Sequence, residues 1–215
     1  MNQAENNLET LAEIRDMMTR SSRFISLSGL AGVISGIFAL IGAGVAWYLT
    51  QTREWVRRAE DTEFGTGQIV WIDYEVVAYL LLDAMLVFML SLAVSFYLTR
   101  LKAKRKKQPV WGPYSRQLLI NLSIPLLTGA AFCVALFSHG LIALIAPTTL
   151  VFYGLALINA GKYSFEEISL LGMSEIVLGL IGLMFKGQGL LFWTLGFGVL
   201  HIVYGIVMYY RHDRS

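Results

Sequence analysis

Hydrophobic residues in this chain fall in long blocks, not in the short alternations of a water-soluble fold. Six apolar stretches, about 24–49, 74–99, 117–137, 140–160, 166–186 and 189–210, are separated by polar breaks. Each approaches or exceeds the roughly 20 apolar residues that an α-helix needs to cross a bilayer. The pattern predicts an all-α, polytopic membrane protein with six transmembrane helices. Very short breaks at Ser138-His139 and at Lys186-Gly187-Gln188-Gly189 join the third span to the fourth and the fifth to the sixth as hairpins. At 138–140 the alternative is one re-entrant element. Before the first span, residues 1–23 carry Leu8, Leu11, Ile14 and Met18 at helical spacing, with Glu9, Glu13, Arg15 and Asp16 elsewhere around the wheel. That segment is expected to be a cytoplasmic amphipathic lead-in helix or a short solvated one.

Composition agrees with the block pattern. Only 15% of the residues are charged and 56% are hydrophobic, against about 25% charged in soluble domains, so the chain lacks the polar surface to cover itself in water. Six spans and their connections use nearly all 215 residues, which leaves no room for a separate soluble catalytic domain. The single cysteine, Cys133, excludes an intrachain disulfide and a CxxC site. A secretory signal is not expected, because Glu5, Glu9 and Glu13 stand where a basic region would be and the first apolar run is too long.

The net charge of +2 matters less than its placement. With the N-terminus inside, the inner segments hold Arg15, Arg20, Arg23, Arg100, Lys102, Lys104, Arg105, Lys106, Lys107, Arg116, Lys162, Arg211 and Arg214, 13 of the 17 basic residues. Basic residues favour the cytoplasmic side, so both chain ends are expected there and a bacterial inner membrane is the expected home. Trp47, Tyr48, Trp71, Tyr74 and Trp193 then mark the outer boundary, and Tyr97, Trp111, Tyr114, Tyr163, Tyr209 and Tyr210 the inner one. The loop residues Lys102, Lys104, Arg105, Lys106 and Lys107 are expected to contact anionic lipids, each worth about 1 kcal/mol near a charged surface. No aromatic platform accompanies them, so nucleic acid is not an expected partner. The outer segment 50–73 mixes both signs of charge around Trp55 and Val56 and reads equally as a surface helix or as a lid.

Glycines recur on helical faces. Residues 26–40 align without gaps on residues 169–183, matching Gly29 with Gly172 and Gly36 with Gly179. Gly29, Gly32, Gly36, Gly172, Gly179, Gly198 and Gly205 are therefore candidate helix-packing positions, because small residues let backbones approach. The same faces are where a homo-oligomer is expected to form. The stretch from Glu175 to Tyr210 (EIVLGLIGLMFKGQGLLFWTLGFGVLHIVYGIVMYY) resembles the glycine-punctuated hairpin repeat of HdeD-like acid-resistance membrane proteins. The resemblance covers about the last fifth of the chain and implies a small six-helix bacterial inner-membrane protein. The long outer segment, the basic loop and the buried acids depart from that pattern. As a whole the chain looks like a bacterial six-helix integral membrane protein family for which no activity is implied.

Ionisable groups at membrane depth cost on the order of 2.5–3.5 kcal/mol each, so each marks a candidate site. Asp83, Glu175 and His201 stand out. Glu175 and His201 both lie 13 positions from Gln188, which puts them level at roughly 19 Å below the outer turn and able to touch across a hairpin. Asp83 is expected about one turn nearer the outer face. A carboxylate beside an imidazole in a dry site can trade a proton, sense acid, or simply fix packing. With no second histidine the set is a poor metal site, and no metal or cofactor is expected. Asn121, Ser123 and Pro125, with Pro147, Thr148, Thr149 and Asn159, suggest a kinked, polar-lined pair of helices. Nucleophile elbows, HExxH, Walker and dinucleotide motifs are all missing. The expected role is non-enzymatic, in assembly, stress response or partner binding; the alternative is a small proton-linked transporter or channel built on Asp83, Glu175 and His201.

Overall fold

A computed structural model describes residues 28–52, 56–58, 70–72, 74–105, 111–185 and 187–214. Six helices in it are long and apolar enough to span a membrane. We number them α1 (Gly29–Thr52), α2 (Tyr74–Arg105), α3 (Pro113–Ser138), α4 (Ile145–Gly161), α5 (Glu166–Met184) and α6 (Gly189–Asp213). The expected lead-in helix, Lys106 and Lys107 lie outside the described residues. Of the outer segment 50–73, the described residues are the end of α1 and a ribbon of two three-residue strands: β1 (Val56–Arg58) pairs antiparallel with β2 (Val70–Ile72), Arg57 opposite Trp71. There the backbone is extended, not the surface helix that the charge pattern allowed.

The division at 138–140 is a true hairpin. Gly140, with φ of 72°, takes the left-handed turn after α3, and Gly187, with φ of 81°, does the same between α5 and α6. His139 closes α3 by holding the Ala135 carbonyl with its ring, 2.8 Å away. A 3₁₀ turn, Ile142–Leu144, leads into α4. Pro147 sits in the first turn of α4, where proline has no helical N–H to forfeit, so it does not kink the span as expected. Pro125 is the proline inside a helix, α3. The polar residues around it serve their own helices: Asn121 donates to the Gln117 carbonyl at 2.9 Å and Thr149 to Ala146 at 2.7 Å.

Two glycine seams hold the core. In the first, α1 runs against α6, with Gly29 on the Gly205 carbonyl and Gly36 on the Gly198 carbonyl. In the second, α5 runs against α4, with Gly172 on the Gly154 carbonyl and Gly179 on the Pro147 carbonyl. Each seam is antiparallel and steps seven residues on both sides, so the echo between the first and fifth spans is one packing motif used twice. All seven candidate packing glycines face helices of their own chain. The α2 helix packs on α1, and α3 on α4; both expose apolar side chains such as Leu82, Met85, Leu127 and Val134, as lipid-facing helices do.

One end of the bundle gathers the start of α1, the end of α2, the start of α5 and the end of α6. There the Asp213 carboxylate accepts from the Gly29 N–H at 2.8 Å and from the Ser28 hydroxyl at 3.1 Å, capping α1 with a residue from the last helix. Lys102 pairs with the other oxygen of Asp213. Glu167 holds Arg211 at 3.0 Å and His212 at 3.2 Å. We call this the basic end, and the opposite one, with the Gly140 and Gly187 turns, the hairpin end.

Candidate functional site

Midway along the bundle, α5 and α6 bring Glu175 and His201 together, as their equal distance from the turn predicted. His201 Nδ1 lies 3.4 Å from Glu175 Oε1. Glu175 is 0% exposed and His201 7%, so no water-sized space touches the carboxylate. Neither carboxylate oxygen has a hydrogen-bond partner, which is rare and costly for a buried charge-capable group.

Two residues that sequence reasoning left out complete the site. The Tyr153 hydroxyl, from α4, sits 2.8 Å from His201 Nε2, and the Gly196 carbonyl sits 3.1 Å from His201 Nδ1. A carbonyl only accepts, so Nδ1 carries a hydrogen toward Gly196, and in a neutral ring Nε2 then accepts from the Tyr153 O–H. Gly196 also makes room: a Cβ there would meet Glu175 Oε2 and the Leu150 side chain. It lies in a π-helical stretch of α6, Thr194–Leu200, that ends at His201; such stretches concentrate at functional sites. Tyr153 left a signal in the sequence. It falls in neither aromatic belt, and a tyrosine at mid-depth needs a partner for its hydroxyl.

The site differs above and below. Toward the hairpin end it is roofed by aromatic rings: Tyr153 against Phe197 at 5.0 Å, and Phe197 against Trp193 at 5.0 Å. Toward the basic end lie Tyr204, one turn after His201, and a small apolar cluster of Leu157, Ile168 and Leu171 against which both Tyr153 and Tyr204 pack.

Asp83 does not join the pair. Its carboxylate packs at the α1–α2 contact, where its oxygens would lie 3.2 and 3.5 Å from a Cβ at Gly42, while Gly36 on the same helix faces α6. Counting along the chain gave its height and not the side of α1 on which it stands. Lys102 also departs from expectation. Because α2 continues to Arg105, its ammonium turns in to Asp213 and is only 11% exposed, so it is not a free lipid contact. Lys104 and Arg105 are exposed. Among the described residues no cluster of three or more His, Cys, Asp or Glu can hold a metal ion.

Comparison with protein-family models, with curated proteins and with solved structures found no match.

Proposed function

We propose that this chain is a non-enzymatic, multi-pass protein of the bacterial inner membrane that responds to proton load through a buried Tyr153–His201–Glu175 chain. The observation that carries the reading is the Glu175 carboxylate, sealed from water and without a hydrogen bond, beside an imidazole held on its far side by a phenol. Both oxygens of that carboxyl group are short of a partner. A site poised in this way converts gain or loss of a proton into a change in helix packing, since α4, α5 and α6 each contribute a member. The likeness of the last hairpin to HdeD-like proteins agrees with a role in acid stress. The basic end is assigned to the cytoplasm from the distribution of Lys and Arg, which places Lys104 and Arg105 at anionic headgroups.

The test is a pH step on purified protein in nanodiscs, read by carboxyl infrared absorption and by Trp193 fluorescence. Both signals should change in the parent protein and lose their pH-dependent part in Glu175→Gln. No response in the parent, or the same response in Glu175→Gln, would remove the proposal.

A second reading, a proton-linked transporter, draws on the π-helical Thr194–Leu200 stretch as a hinge that opens the site. It predicts sustained proton flux across liposomes, abolished by Glu175→Gln. It does not need Asp83, which sits across α1 from the pair.

A further inference from the structure

We infer that the exposed flank of the α1–α2 pair is a docking surface for a transmembrane helix of another protein, one that carries a lysine or arginine at mid-depth to meet Asp83. None of its residues belongs to the Tyr153–His201–Glu175 chain, so the two sites stand or fall separately.

Asp83 stands at the edge of the contact between α1 and α2. Its carboxylate packs against Gly42, and the residue is half-buried. At helical spacing from it, Val76 and Val87 turn inward: Val76 is fully buried, and Val87 packs on Gly42 beside the carboxylate. Tyr79, Leu86 and Leu90, which lie to its other side, are exposed. On α1, Ile41 and Val45 beside Gly42 are exposed as well. Among the described residues α2 packs along α1 and makes no comparable contact with another helix. The carboxylate therefore sits at the rim of a two-helix apolar surface that this chain leaves uncovered.

Among the described residues Asp83 has no hydrogen bond and no ion pair. It lies nine residues from Tyr74, about 13 Å along the helix, where lipid offers a polar group nothing to pair with. Ionisable groups at such depth are retained where they meet a partner. The chain does not supply one. Residues 29–51, 75–99, 117–138, 142–161, 166–184 and 189–210 contain no lysine or arginine. The next basic residue along α2, Arg100, is 17 positions away, about 25 Å. The imidazole of His201 is held by Tyr153 and Gly196. A second copy would bring the same six spans, and so would set carboxylate against carboxylate without a cation. The complementary charge has to come from a different helix. A lysine or arginine suits the place, because its apolar stem can lie along Leu86 and Leu90 while its head reaches the recessed carboxylate.

The experiment combines the donor-labelled protein in liposomes with acceptor-labelled leucine–alanine helices of roughly 20 residues, read by energy transfer. One probe carries a single lysine near its middle, and the other carries leucine there. The lysine probe should bind on the order of 10-fold more tightly, the scale of one interhelical hydrogen-bonded pair. This comparison is made on the parent protein and needs no variant. Asp83→Ala removes an unpaired charge and introduces no overlap; it should keep the parent's circular dichroism and bind both probes alike. Glu175→Gln should keep the full preference for lysine. Equal binding of the two probes by the parent, or a preference that survives Asp83→Ala, would overturn the assignment. Energy transfer between copies of the parent that is lost in Asp83→Ala would also overturn it, by giving the flank to a second copy.

Discussion

Replacing Gly36 by alanine tests whether the α1–α6 seam is held by backbone contact. A Cβ at Gly36 would lie 2.7 Å from the Gly198 carbonyl oxygen, 2.6 Å from Ile202 Cγ1 and 3.0 Å from the Ile202 backbone nitrogen. Ordinary contact begins near about 3.5 Å, so the methyl group is about 0.8 Å too close to the carbonyl. The Ile202 side chain can turn away, but the two backbone atoms cannot. The helices must part by a comparable distance, and a gap of about 0.5–1 Å forfeits a quarter to a half of the dispersion energy between the atoms it separates. Overpacking of this kind costs about 1–3 kcal/mol. Gly44 is the internal control, because a Cβ there meets nothing within 4 Å. Gly44→Ala should be neutral or stabilising by up to about 1 kcal/mol, the helix preference of alanine over glycine. Reversible denaturation in mixed micelles, followed by circular dichroism, gives both numbers. Equal stability of Gly36→Ala and Gly44→Ala would refute the seam.

Three further outcomes follow from single contacts. Tyr153→Phe removes the donor to His201 Nε2 and leaves a buried acceptor unpaired, which should lower stability by about 1–3 kcal/mol in the same denaturation assay. Gly196→Ala drives a methyl group into Glu175 and Leu150; it should abolish the pH response of Trp193 fluorescence while the far-ultraviolet helix signal remains. Asp213→Asn keeps an acceptor for the Gly29 N–H but removes the counter-charge of Lys102, so the loss should be about 1–2 kcal/mol. Recovery of part of that loss by the second change Lys102→Met would assign it to the Lys102–Asp213 pair.

Helix number and the meeting of Glu175 with His201 were legible in the chain because both depend on distance along it. Block length reports a bilayer crossing, and equal counts from a turn report equal depth. What the chain hides is the side of a helix on which a residue stands. For Asp83 the count along the chain gave a height and no azimuth, since its neighbour at Gly42 is fixed by which helix α2 packs on. Lys102 was read as free because apolar content falls off after Thr99, yet α2 goes on to Arg105 and carries Lys102 to a partner 111 residues away. The start of α3 shows the opposite case. Apolar density suggested residue 117, but Pro113 begins the helix and Ser115 accepts from the Gly112 N–H at 2.7 Å, a local start signal that hydrophobicity does not register. Tyr153 and Gly196 were missed for a third reason: each has an ordinary packing role on its own, and only the histidine between them gives them a chemical one.

The contact between Asp213 and the start of α1 joins the first described helix to the last. Synthesis on the ribosome delivers α1 early, and its glycine face must then wait in lipid until nearly the whole chain has emerged. The α4–α5 seam has no such delay, because its two helices are adjacent in the chain. Assembly in the membrane therefore has a built-in order, local hairpin before ring closure, and a chain cut short before α6 leaves the Gly29, Gly32 and Gly36 face of α1 without the helix that covers it. A nascent protein of this kind advertises its incompleteness to any quality-control machinery that samples unsatisfied helix faces.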